Sequence, residues 1–135
     1  MTPTLVALLG FVSWTLALLI AMEAIRTWLV LRGAVAANGF DPGNSQLSPF
    51  MQRLARAHAN CLEGLPLFGG LMLIAVVAGK SSLTDALAWV LLGARVVQSL
   101  IHLASGSSLA VTARFCAFAA QLLIASYWAL RLYAS

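Results

Sequence analysis

The sequence predicts an all-α integral membrane protein, a single domain of four transmembrane helices in an up-down bundle. Three observations carry this. The chain of 135 residues is 61% hydrophobic and 9% charged, where a soluble domain has roughly 25% charged residues. A water-soluble fold of this size leaves about 30–40% of its unfolded surface wet, and so little polar surface cannot cover it. Four apolar stretches each reach or approach the roughly 20 residues needed to cross a bilayer, and turn signals separate them.

The first helix is expected over 4–32, opening after Pro3, which suits a first helical position. The run Leu5–Met22 is longer than a signal-peptide core of about 7–15 residues and has no basic segment before it, so it reads as a retained span. Asn38–Ser48 holds Gly39, Asp41, Pro42, Gly43, Asn44 and Ser45, a loop by its turn residues. Ser48-Pro49 then gives a cap followed by proline, and the second helix is expected over 49–79. Pro66 within it predicts a bend. Gly79-Lys80-Ser81-Ser82 is a turn, with Ser82 or Thr84 as cap for a third helix over 83–104. Ser105-Gly106-Ser107-Ser108 leads to a fourth over 110–133. Short connections imply antiparallel neighbours.

Seven of the eight basic residues are arginines and the net charge is +4. Arginine suits forked recognition of carboxylates and phosphates. A nucleic-acid partner would need a basic face in water, and these arginines are dispersed among apolar runs. Cys61 and Cys116 lie inside helices without metal-ligand spacing, so no metal is expected and both read as small core residues. Arg26, Arg32, Arg53 and Arg56 flank the first loop and Arg114 the third, against Lys80 and Arg131 at the other end. Positive charge marks the cytoplasmic side. Both termini are therefore expected outside the cytoplasm, with the polar half of the bundle facing in.

Ionisable groups within spans cost about 2.5–3.5 kcal/mol or more each, so each needs a reason. At about 100° per residue, Arg56, Asn60, Glu63 and Arg53 share one stripe of the second helix. Arg95, Gln98, Ser99 and His102 fall within about 100° of each other on the third. Arg114 and Gln121 share a face of the fourth, and Glu23 and Arg26 are spaced to pair. His58 points away from the Arg56 stripe and reads as a structural hydrogen-bonder between helices. Polar stripes in a small bundle must face one another or a wet cavity. They can serve as internal glue, with Glu63 neutralised by an arginine. The excess of Arg53, Arg56, Arg95 and Arg114 over Glu23 and Glu63 favours a site with spare positive charge, suited to an anionic guest.

The run Arg56-Ala-His58-Ala-Asn60-Cys-Leu-Glu63-Gly-Leu-Pro66-Leu-Phe68 resembles the second-helix signature of the MAPEG family, membrane-associated proteins in eicosanoid and glutathione metabolism. Ala94-Arg95-Val-Val-Gln98-Ser-Leu-Ile-His102-Leu is similar to that family's third-helix signature, and Arg114 to its remaining basic position. The resemblance covers nearly the whole chain. It implies a homotrimer with glutathione as co-substrate between subunits near the cytoplasmic side. Arg56, Asn60 and Glu63 match glutathione-binding positions, Arg95 an arginine that braces the site, and Arg114 the catalytic arginine beside the sulfur. Arg53, Gln98 and His102 join the binding set. The sequence departs from the family at Gln52, where many members have glutamate, at Gln98 and His102, and at Phe115 and Phe118 where some carry a hydroxyl.

The resemblance, to a bacterial-type member of the inner membrane, implies a glutathione transferase acting on a lipophilic electrophile from the bilayer, with peroxide reduction as an accompanying activity. Two rival readings stand beside it. One is a non-catalytic lipid-binding or scaffolding member of the same family. The other is a small four-helix exporter with Glu23 as its proton-coupled carboxylate, against which Glu23 sits near the end of its span, within reach of Arg26.

Overall fold

Four long helices carry the chain back and forth in a computed structural model that describes residues 1–135 and contains no strand. Helix α1 spans Pro3–Leu31, α2 Pro49–Val77, α3 Asp85–Ala104 and α4 Ser108–Tyr133. All four are long and apolar enough to cross a membrane.

Local chemistry sets each boundary. The Thr2 hydroxyl accepts from the Leu5 amide ahead of α1, and Ser48 does the same for the Met51 amide ahead of α2, each followed by proline. Ser107 caps α4 through the Ala110 amide at 3.2 Å, which starts that helix at Ser108 rather than 110. Gly79 ends α2 with φ of +69°. Its amide bonds the Val76 carbonyl and that of Lys80 the Ala75 carbonyl, the paired closure that a left-handed residue permits.

Pro66 does more than bend its helix. Residues Leu65–Gly69 form a π-helical turn between Pro49–Gly64 and Gly70–Val77. Proline offers no amide hydrogen to the turn before it, and the wider turn absorbs the break without ending the helix. A helix of 29 residues rises about 43 Å, against about 30 Å of hydrocarbon. The polar first half of α2 therefore extends into the headgroup region.

The ends meet as an up-down bundle requires. The Thr4 amide and hydroxyl donate to Asp85 Oδ1 at 3.0 and 2.6 Å, and Thr4 Oγ1 lies 2.7 Å from Thr84 Oγ1. The first turns of α1 and α3 are thus tied at one end, where Lys80 Nζ also reaches Ser135 Oγ. Thr84 precedes α3 but directs its hydroxyl to the Ser81 carbonyl instead of capping. At the other end Arg26 donates through Nε and Nη2 to Asn44 Oδ1 and through Nη2 to the Asp41 carbonyl. Asn44 in turn donates to the Met51 carbonyl, so the loop before α2 is pinned to α1. Within that loop the Ser45 hydroxyl and amide hold the Asp41 carboxyl below its ordinary range.

Helix α3 packs against all three others. One apolar cluster, around Phe11, Phe68, Met72, Leu91 and Trp128, fills the end where the termini lie. A second, around Leu18, Met22, Met51, Leu54 and Cys61, fills the other. Between them in every helix sits a polar layer: Thr15, Asn60, Arg95 with Gln98, and Gln121. Only 28 of 135 residues are buried. Leu16, Ile20, Leu123 and Leu130 are more than half exposed, an outer surface suited to lipid rather than water.

Candidate functional site

Arg95 is the centre of the polar layer and is fully buried. Its Nη1 donates to Asn60 Oδ1 at 2.5 Å and to the Asn60 carbonyl at 3.3 Å. The guanidinium lies 5.2 Å from the Phe11 ring centroid and 5.4 Å from that of Phe68. Aromatic faces attract a cation, and here two of them replace the acid that a buried arginine usually has. Its Nε and Nη2 have no hydrogen-bond partner. Gly64 makes room for it: a Cβ at that position would stand 2.7 Å from Nη2.

The row continues across the bundle. Gln98 Nε2 donates to Asn60 Oδ1 at 3.2 Å, and Gln121 Nε2 donates to Gln98 Oε1 at 2.9 Å. Ser99 donates to the Arg95 carbonyl and lies 3.2 Å from Cys61 Sγ.

Arg53, Arg56, Arg114 and His102 gather at the loop end, away from Lys80 and Arg131. Arg53 is half-buried and donates to the Leu103 carbonyl at 2.9 Å, one of the terminal carbonyls of α3 that attract a cation. His102 is half-buried, within electrostatic reach of Arg114, Arg56 and Arg53. Arg114 is half-buried with its Nε unpartnered. Arg56 and Glu63 are exposed.

The stripe read from α2 is therefore divided. Asn60 turns inward to Arg95 and Gln98, while Arg56 and Glu63 stand on the outer edge. Glu63 is not neutralised within the chain, whose single ion pair is the expected Arg26–Glu23 at 3.0 Å. His58 is half-buried and its side chain makes no hydrogen bond within the chain, against its expected bridging role. No group of three or more His, Cys, Asp or Glu is placed to hold a metal.

Sequence reasoning missed three features. The aromatic clamp on Arg95 joins residues of α1 and α2 that periodicity treats as ordinary core. Asn44 is buried and carries φ of +55°, a conformation asparagine tolerates better than most residues; its place in a turn-rich loop was the only signal. Asp85 lay outside the stripes because its partner, Thr4, is 81 residues away.

Arg53, Arg56 and Arg114 around His102, with Glu63 free about two turns further along α2, leave uncompensated positive charge at this end of the bundle. The MAPEG family model matches residues 4–134 of the chain. No curated protein and no solved structure matches it significantly.

Proposed function

The chain belongs to the MAPEG family, and we propose that this multi-pass membrane protein binds glutathione at its arginine-rich end and activates the thiol towards a lipophilic electrophile. The observation that carries the reading is the pair Arg56 and Glu63, both exposed and neither with an ion-pair partner in the chain. Charges left open on a membrane helix call for a guest or a second subunit. Seven residues of helix separate them, a rise of about 10 Å, and an extended tripeptide spans about the same length. Arginine forks donate to its carboxylates, and Glu63 accepts from its ammonium.

Arg114 is assigned the sulfur. A neighbouring cation favours thiolate over thiol, and the thiolate is the nucleophile that forms the new carbon–sulfur bond as the electrophile's leaving group departs. Arg53 and His102 line the same end, and Arg95 braces Asn60 from behind. Since Arg56 and Glu63 face outward, a second copy closes the site in this reading, and the family resemblance supports a trimer. Titration of the purified protein in detergent with glutathione, read by heat and by thiolate absorbance, tests the proposal. Saturable binding with a thiolate band at neutral pH is expected, and absence of binding overturns it.

A further inference from the structure

We propose that Gln121, acting through Gln98, is a positioning residue that holds the Asn60 amide with its NH2 group turned outward as a donor to the ligand. The inference rests on the glutathione reading of the site. It starts from the donor-only chemistry of arginine. Because Arg95 Nη1 approaches Asn60 at 2.5 Å, the atom it meets must be the amide oxygen. Gln98 approaches the same oxygen and must present its nitrogen. Its own oxygen then faces Gln121 and requires a donor there, which Gln121 Nε2 supplies at 2.9 Å. The same nitrogen donates to the Ala117 carbonyl at 3.0 Å, which anchors the row on α4. The sense of every amide follows from the arginine at its head.

Two consequences point to the ligand. Asn60 Nδ2 has no partner in the chain and, unlike the orphaned atoms of Arg95 and Gln121, is not buried. It lies on the stripe of α2 that carries Arg56 and Glu63, so it offers its hydrogens to a carbonyl or carboxylate bound there. Gln121 Oε1, by contrast, is buried without a partner. Leucine or methionine would pack here with no unpaired oxygen, and an apolar replacement avoids that penalty. The amide serves the row rather than the packing. Gln98, 6% exposed, acts through Asn60 rather than by touching the ligand.

The test is a double-mutant cycle on the full chain in detergent, with glutathione as probe. Asn60→Asp keeps an inward oxygen for Arg95 and Gln98 and removes the outward donor; Gln121→Met keeps side-chain length and removes the anchor. Gln121→Met alone is expected to raise the glutathione Kd about fivefold, with turnover at saturation within twofold of the parent. In the Asn60→Asp background the same change is expected to alter Kd less than twofold. Interacting residues show such non-additivity and independent ones do not. Equal effects of Gln121→Met in both backgrounds, or none in either, overturn the positioning role while leaving glutathione binding intact. A parent protein that fails to bind glutathione overturns the functional reading and this inference with it. As a check on folding, side-chain amide NMR of the unliganded parent should show Gln98 NH2 protected from exchange, and Gln121→Met should lower that protection without changing backbone signals of α1.

Discussion

Gly64 and Arg95 are packed so closely that a methyl group on Gly64 would lie 2.7 Å from the guanidinium Nη2 and 3.2 Å from the Phe68 ring. An arginine tip on the surface would swing away. This one is held by Asn60 and by two aromatic rings. Gly64→Ala gains about 1 kcal/mol of helix propensity, whereas overpacking a filled core costs about 1–3 kcal/mol. A lower midpoint of thermal unfolding in detergent is the expected result, and an unchanged or raised midpoint would show that the guanidinium can move.

Asp85 meets both donors of Thr4, an amide in the unsatisfied first turn of α1 and a hydroxyl. Asp85→Ala strands the amide, at about 1–3 kcal/mol for a buried donor left unpaired, while the hydroxyl keeps Thr84 Oγ1 as a partner. Asp85→Asn keeps an acceptor and should cost less than half as much. Thermal unfolding of the two variants side by side checks the order.

Glu63 and Arg114 divide the labour of the proposed site. Glu63→Gln removes the charge assigned to the ammonium and should weaken glutathione binding by about 1.5–3 kcal/mol. Turnover at saturation should change little, since the ammonium is held alike in ground and transition states. Arg114→Gln should move the rate profile to higher pH, with affinity altered less. Loss of binding in Arg114→Gln with an unmoved pH profile would contradict the assignment.

The arginine-rich end is predicted to face the cytoplasm and both termini the opposite side. A reporter fused after Ser135 that works only outside the cytoplasm should be active, and one that works only inside should be silent.

Closure of the site by a neighbouring copy predicts trimers in mild detergent. Native mass spectrometry should find them; monomers or dimers alone would argue against an intersubunit site.

How much of this was legible in the sequence depends on how far apart the partners lie. The four spans follow from apolar length, and the Arg26–Glu23 pair from a spacing of three. The inward stripe of α3 was readable because Arg95, Gln98 and Ser99 sit on one face, and all three are buried. The stripe of α2 was readable as a set but not as a division, because periodicity gives an angle and not a partner. Asn60 turns in since Arg95 and Gln98 meet it, while Arg56 and Glu63, within about 60° of it, meet nothing in the chain. The Thr4–Asp85 tie and the Phe11–Arg95–Phe68 clamp join distant segments, and no local pattern announces such contacts.

The wide turn at Leu65–Gly69 accommodates one more residue than an α-helical turn does. Removing Pro66 there would let the turn close to ordinary winding while both flanking segments kept their phase. A deletion within Pro49–Gly64 would instead rotate everything beyond it by about 100° and carry Met72 and Ala75 out of the core. This turn is thus a joint at which the helix can lose a residue while its charged and greasy halves each keep their own packing.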